Sequence, residues 1–237
     1  MKITIVVPVY NEEAIIEETL TILSEALSKI GNELDWEIVV ADNASTDKTA
    51  EKVKNAGFSK VKVFSIKEKG KGVAIRSVAM ESEANFFGFI DADLSADPEA
   101  IFTMLDALKK GECDIVIGSR LMDKTQTHRS FLRTLSSEVF NFIQRIILGL
   151  DIQDTQCGLK IMNRRGIDIF KKCKENSWFF DMEFLALSSK NGLRILEVPV
   201  LWEEFRYKDR KTKLHLVRDG FSAIITMIRI RIRLNKE

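Results

Sequence analysis

Two aspartates one residue apart, Asp91-Ala92-Asp93, directly follow the run Phe86-Phe87-Gly88-Phe89-Ile90, so a buried strand would deliver two carboxylates to a turn. Hard oxygen ligands so placed suit Mg²⁺ or Mn²⁺, which could bridge a diphosphate and neutralise a leaving group's charge. The spacing alone also arises in capped turns with solvated acids; the position after a buried strand favours the metal reading. Asp42 likewise ends an apolar run, Trp36-Glu37-Ile38-Val39-Val40-Ala41. A carboxylate there can accept hydrogen bonds from a nucleobase imide or a ribose hydroxyl, or it can make a helix-capping turn, as Asn43 or Ser45 could. In Lys69-Gly70-Lys71-Gly72, ammonium and backbone N–H groups meet at a loop entering a helix, an arrangement for phosphate or base contacts.

Those residues need elements to hold them. The β-branched run 3–9 reads as a buried strand, and Ile16, Leu20, Leu23 and Leu27 recur at helical spacing within 12–29. A strand over 36–41 leads into a helix that Ser45 or Thr46 would cap and that runs toward Ala56. Strands over 61–66, 86–90 and 114–117, with helices over 73–83 and 98–109, complete five strand–helix alternations. That order predicts an α/β fold with a mostly parallel sheet flanked by helices, and its chemistry gathers beyond the carboxyl ends of the strands. The second half predicts a helix over 130–149, a polar turn over 151–158 and short strands over 159–162 and 194–200.

Composition narrows the classes further. A chain of 237 residues, 45% hydrophobic and 30% charged, can bury a full core and fits one domain with a C-terminal extension, which excludes disordered and collagen-like proteins. No G-x-x-x-x-G-K-[ST] is present, and no glycine precedes Gly31, so neither a Walker loop nor a dinucleotide-binding G-x-G-x-x-G follows the first strand. Cys113, Cys157 and Cys173 lack C-x-x-C spacing, which argues against a disulfide framework or a structural zinc and fits a reducing compartment. The apolar run before Pro8 is too short for a signal sequence, and no stretch approaches the roughly 20 apolar residues of a membrane span. A soluble or peripheral protein is expected. Residues 205–236 hold ten Lys/Arg against Asp209 and Asp219, a +8 segment on a chain of net charge +1, which suggests an anionic surface or substrate at that end.

The runs 5–12 (Ile-Val-Val-Pro-Val-Tyr-Asn-Glu), 42–49 (Asp-Asn-Ala-Ser-Thr-Asp-Lys-Thr) and 91–94 (Asp-Ala-Asp-Leu) resemble, in order and spacing, glycosyltransferase family 2 and its GT-A fold. Gly118-Ser119-Arg120, the stretch from Asp154 to Lys160 and Phe180-Asp181-Met182-Glu183 are similar to the dolichyl-phosphate mannose and glucose synthase branch. The resemblance implies an inverting hexosyltransferase that takes mannose or glucose from GDP-mannose or UDP-glucose to dolichyl or another polyprenyl phosphate, with Mg²⁺ or Mn²⁺ as cofactor. It makes Pro8, Tyr10, Glu12 and Asp42 nucleoside contacts, Lys71 a donor contact, and Asp91 and Asp93 the metal site. Asn43 stands where the family often has a second Asp, and Ser95 where the mannose synthases often have Gln, so Ser95 would be a weaker ligand. The 69–72 and 154–158 stretches look closer to the glucose synthases.

A lipid phosphate is already ionised near neutral pH and can attack the anomeric carbon without an enzymic base, but it needs cationic positioning. Arg120 matches the branch's G-S-R arginine, Arg129 and Arg133 precede the 130–149 helix, and Arg206 with Thr212-Lys213-Leu214 resembles its S-K-[LV] element. Arg120, Arg206 and Lys213 are the expected acceptor contacts, with Asp93, Arg120 and Lys213 carrying the catalysis. The residues divide into a nucleotide-sugar half (1–120), an acceptor half (121–204) and a basic membrane-facing segment (205–237).

Two stripes speak to a lipid. Residues 131–150 gather Phe131, Leu132, Leu135, Val139, Phe142, Ile143, Ile146 and Ile147 on one face, read either as interfacial or as packing on the sheet. Residues 217–234 set Val217, Phe221, Ile224, Ile225, Ile228 and Ile232 beside Arg218, Arg229 and Arg233, although 227–233 also alternate as a strand would. A helix touching the cytoplasmic face of a membrane without crossing it is expected. A soluble or polysaccharide acceptor, or a non-catalytic nucleotide-sugar or nucleic-acid binding module, is the alternative. Few aromatics interleave the basic residues, so no nucleic acid is expected.

Overall fold

The computed structural model describes residues 1–31, 34–122, 127–128, 131–203 and 216–236, with 127–128, 131–139 and 216–221 described for secondary structure only. From the first residues the chain alternates β1 (Lys2–Val9), α1 (Ile16–Ser28), β2 (Asp35–Asn43), α2 (Thr49–Asn55), β3 (Val61–Ile66), α3 (Lys71–Glu81), β4 (Phe86–Phe89), α4 (Ala100–Lys109) and β5 (Ile115–Ser119). There follow β6 (Thr127–His128), α5 (Phe131–Leu148), β7 (Lys160–Asn163), α6 (Arg164–Phe170), α7 (Phe180–Lys190), β8 (Ile195–Pro199), β9 (Trp202–Glu203) and α8 (Leu216–Leu234).

Seven strands form one sheet in the order β3-β2-β1-β4-β7-β5-β8. The pairs β1/β2, β1/β4, β2/β3 and β5/β8 are parallel, as expected, while β7 runs antiparallel between β4 and β5. Central strands are apolar throughout because both of their faces are covered: Ile3, Ile5, Val6 and Val7 of β1 and Phe87 and Phe89 of β4 are fully buried. The edge strands β3 and β8 keep half-buried positions along most of their length.

The antiparallel strand has a direct consequence for the site. β7 begins at the edge where β1, β2, β4 and β5 end, and Lys160 pairs with Phe89 on one side and Ile117 on the other. The polar turn 151–158 therefore opens beside the Asp91 turn.

Several expected boundaries move, for local reasons. α1 starts only at Ile16, because the Glu12 carbonyl accepts the N–H groups of Ile15 and Ile16 in a preceding turn. α2 starts at Thr49, and neither Ser45 nor Thr46 caps it: the Ser45 hydroxyl accepts from the Asn11 N–H (3.0 Å) and the Thr46 hydroxyl from the Asn11 amide (3.2 Å). Those two side chains tie the β2 loop to the β1 loop instead. α3 starts two residues earlier than the spacing predicts, at Lys71 itself.

α8 is a helix, which settles the conflict between the two periodicities. Ala223, Met227, Ile230 and Leu234, spaced four, three and four apart, are buried, and the helix packs on α5 and α7. It closes the core instead of trailing from it. Arg233 is also not on the outward face: its guanidinium donates to buried Glu183 on α7. Among the described residues no helix is long and apolar enough to cross a membrane.

Candidate active site

β1 lies between β2 and β4, with Val9 opposite Asp42 and Val6 opposite Phe89, so Asp42 and the Asp91 turn flank the end of one strand. Three non-glycine residues with left-handed backbones stand just past these strand ends: Asn11 (φ 53°), Ala44 (φ 60°) and Leu94 (φ 46°). Such conformations cost free energy and gather where a fold must aim functional groups.

Asp91 emerges after Ile90, whose N–H still bonds Val6 of β1, and a turn closed by the Leu94 N–H on the Asp91 carbonyl (2.9 Å) carries Asp93. Lys71 Nζ lies 2.5 Å from Asp91 Oδ1, in a niche walled by the rings of Trp178 and Phe180. Burial works against the Lys71 charge, yet Asp91, Asp181 and Asp93 together hold its pKa above the ordinary lysine value. The other Asp91 oxygen lies against Gly158, where a Cβ would come within 2.2 Å of it. Ser95 is buried; its N–H donates to Asp93 Oδ1 (3.1 Å) and its carbonyl accepts from Glu203 (2.9 Å), so it braces the turn through its backbone.

Behind this pair lies a fully buried cation. Lys160 Nζ is 2.8 Å from Asp181 Oδ1 and donates to the Cys157 carbonyl at 2.6 Å, beneath the Phe89 ring. Burial raises the Asp181 pKa, with Lys160 and Lys71 pulling the other way. Burial also pushes the Cys157 thiol up to about 11, so it stays a neutral packing group.

At the end of β2, Asp42 is buried and accepts the Ser45 N–H at 3.2 Å, so it makes the turn and still sits at the strand end. Tyr10 is partly exposed under the Lys69 ammonium, and the Glu12 N–H donates to Thr49. Pro8 lies within β1 opposite Ala41. Asn43 accounts for its own departure from Asp: its amide donates to the Glu68 carbonyl while its oxygen accepts the Gly70 N–H at 2.7 Å. A carboxylate could do only the second.

The glycines of the 69–72 loop serve packing. The Gly72 N–H is taken by the Asn176 carbonyl (3.0 Å), and a Cβ on Gly70 would meet that carbonyl oxygen at 2.1 Å. The Gly70 and Gly72 amides are therefore committed within the protein. Lys71 supplies the charge.

Arg120, at the end of β5, donates Nε to Asp154 Oδ2 (2.7 Å) and Nη2 to Oδ1 (2.6 Å), with its guanidinium stacked on Trp202. Burial opposes its charge, and Asp154 more than restores it; Arg120 in turn holds the buried Asp154 carboxyl below the usual range. The other expected acceptor contacts, Arg206 and Lys213, together with Thr212, Leu214 and Arg129, lie outside the described residues. Lys160, Asp181, Asp154 and Glu183 received no individual role from the sequence. A signal was present, since Lys160 and Asp181 are lone charges inside the apolar runs Leu159–Met162 and Trp178–Met182.

Sheet order and the acidic turn at its carboxyl edge define a GT-A glycosyltransferase fold. It is similar to crystal structures of glucosyl-3-phosphoglycerate synthase from Mycobacterium tuberculosis: one with Mn²⁺, UDP and glucosyl-3-phosphoglycerate aligns over 97% of this chain and 79% of that one at TM-score 0.71 and 19% identity. The family model for glycosyl transferase family 2 matches residues 4–170, and the chain belongs to that family. Among relatives, the dolichyl-phosphate beta-glucosyltransferase of Saccharomyces cerevisiae is 32% identical over 85% of this chain and 67% of its own length. That of Dictyostelium discoideum is 30% identical over 98% and 74%. Glycosyltransferase AglD of Haloferax volcanii is 28% identical over 92% of this chain, which spans only 35% of AglD.

Proposed function

We propose that the chain transfers glucose, with inversion, from UDP-glucose to the phosphate of a dolichol-type polyprenyl lipid, with Mg²⁺ or Mn²⁺ at Asp91 and Asp93. The observation that carries this reading is the cluster at the end of β4, where both carboxylates leave one turn and an ammonium already rests on one of them. The family relatives named as dolichyl-phosphate beta-glucosyltransferases support the lipid acceptor and the choice of glucose over mannose.

The donor set fits a hard divalent cation. The carboxylates of Asp91 and Asp93 are the hard oxygen ligands such a cation takes, and among the described residues no group of three His, Cys, Asp or Glu gathers. Such an ion would neutralise the charge of the departing nucleoside diphosphate. Pro8, Tyr10, Glu12 and Asp42 orient the nucleoside, and Lys71 holds its protonated ammonium toward the diphosphate. The acceptor phosphate arrives ionised, so no side chain need remove a proton; Arg120, Arg206 and Lys213 would position it to attack C1 opposite the leaving group.

An exposed apolar face supports work at a lipid surface. Phe142 and Ile146 of α5 and Ile224, Ile225, Ile228 and Ile232 of α8 are exposed, with Arg229 and Arg231 exposed among them. Apolar side chains beside arginines suit an interfacial helix on the cytoplasmic, anionic leaflet.

The test is to incubate the purified chain with vesicles containing dolichyl phosphate, Mn²⁺ and either labelled UDP-glucose or labelled GDP-mannose. Label should enter the lipid phase from UDP-glucose alone, and both a chelator and Asp93→Asn should abolish it while circular dichroism stays unchanged. Transfer from GDP-mannose alone would overturn the donor. Water-soluble product from phosphoglyceric acid, with none in the lipid phase, would overturn the acceptor.

A further inference from the structure

Asp91 is engaged on both sides. Its Oδ1 is held by Lys71 at 2.5 Å, and its Oδ2 lies where Gly158 alone leaves room. A cation bound by Asp91 and Asp93 would have to take the place of the Lys71 ammonium or share the carboxylate with it, and two positive charges on one oxygen repel strongly in a half-buried site. The ammonium has somewhere to go: Asp181 and Asp93 also act on it, and the diphosphate of a donor would be a stronger anion than either.

We propose that Lys71 is a latch on the cation site, occupying Asp91 until a nucleoside diphosphate draws its ammonium away and frees the carboxylate for the metal. This rests on the cation reading proposed for Asp91 and Asp93. Lys71 then serves two partners in turn, as a positioning residue for Asp91 before the donor arrives and as a contact to the diphosphate afterwards. Donor and cation bind cooperatively as a result, and the coupling is reciprocal. A futile metal-loaded enzyme without donor is disfavoured.

The niche is built for a side chain that moves without leaving. The Trp178 and Phe180 rings lie 5.5 and 5.9 Å from Lys71 Nζ, so the ammonium can shift along aromatic faces that favour a cation. The start of α3 stays fixed meanwhile, because the Gly70 and Gly72 amides are tied to Asn43 and Asn176. Motion is confined to the side chain.

Mn²⁺ binding, followed by the loss of the free-ion electron paramagnetic resonance signal with and without UDP, tests this. Wild type should bind Mn²⁺ weakly alone and at least tenfold more tightly with UDP. Lys71→Met should bind Mn²⁺ alone about tenfold more tightly than wild type, whereas Lys71→Arg, which keeps a cation on Asp91, should not. Lys69→Met separates contact from field, since Lys69 lies over Tyr10 instead of on Asp91. An equal gain in Lys69→Met reduces the effect to general charge and overturns the latch. No gain in Lys71→Met, with UDP-dependent binding intact in wild type, overturns the latch but leaves the cation site standing. Absence of Mn²⁺ binding in every protein, UDP included, overturns both.

Discussion

Arg120 and Asp154 form a two-pronged pair at the end of β5, with Nε and Nη2 each within 2.7 Å of a separate carboxylate oxygen and the Asp154 side chain almost fully buried. Asp154 also accepts the Arg120 backbone N–H (2.9 Å), and its own N–H donates to Glu197 on β8. The pair therefore locks the 151–158 turn to the strand ends before any acceptor arrives.

Asp154→Ala should destabilise the protein by about 3–5 kcal/mol, because it strands a buried guanidinium. The pH dependence follows from the depressed carboxyl of Asp154. A lowered folded-state pKa contributes stability above the ordinary carboxylate value of about 3.9, and that stability is lost as pH falls through the lower folded value. The gap between wild type and Asp154→Asn in urea melts should be widest near neutral pH and narrow in acid. A gap that stays constant down to the acid limit would sink the assignment. Arg120→Lys should not rescue the pair, since an ammonium cannot offer the same fork.

Gly158→Ala tests the close approach to Asp91. The added methyl would meet Oδ2 at 2.2 Å and must push the carboxylate or the turn aside. Transfer should fall roughly a hundredfold, as expected for a displacement near 1 Å at a reacting centre. Thermal stability should change much less than activity. A variant as active as wild type would mean that Asp91 need not hold this position.

Asn43→Asp supplies the second Asp that the family resemblance leads one to expect at this position and should nonetheless harm this chain. The carboxylate would lose the donation to the Glu68 carbonyl and face that oxygen instead, a cost of about 1–3 kcal/mol. Because the same side chain holds Gly70 just before Lys71, UDP affinity measured by calorimetry should weaken along with the melting temperature. Unchanged affinity would detach the Asn43 contact from the donor site.

The parts of the fold set by local patterns could be read from the sequence, and the parts set by long-range pairing could not. The β1 to β5 alternation was legible because β1, β2, β4 and β5 are largely runs of buried β-branched or aromatic residues bounded by polar turns, and β3 sets half-buried apolar residues among exposed polar ones; Asp42, Asp91 and Asp93 mark the ends of such runs. The antiparallel insertion of β7 was not, since nothing within Lys160–Asn163 says which neighbours it will pair with. Arg120 was singled out by its resemblance to a G-S-R motif, but its stacking on Trp202 joins residues far apart in the chain, and no spacing encodes it. α8 was expected as a helix and is one, although its sequence carries both periodicities. Its isoleucines alternate with arginines over 228–233, as a strand would, but only Ile230 of them is buried while Ile228 and Ile232 face outward.

The arginines of α8 should separate into two kinds when removed. Arg229 and Arg231 are exposed beside the outward isoleucines, so replacing both by Gln should leave folding unchanged. It should weaken binding to anionic vesicles by about 1 kcal/mol each, roughly thirtyfold together. Arg233 instead donates to Glu183, whose other oxygen accepts the N–H groups of Lys174 and Glu175 at the loop packed on Gly70 and Gly72. Arg233→Gln should therefore leave vesicle binding nearly intact but lower stability by about 3 kcal/mol, since a buried carboxylate loses its cation. Ile228→Asp completes the comparison: it removes an outward apolar contact without touching Glu183, and should abolish vesicle binding at unchanged melting temperature. Co-sedimentation with vesicles, read beside thermal melts of the same three proteins, assigns each residue to the lipid or to the fold. If Arg233→Gln and the Arg229/Arg231 double variant lost vesicle binding equally at unchanged stability, the inward placement of Arg233 would be wrong.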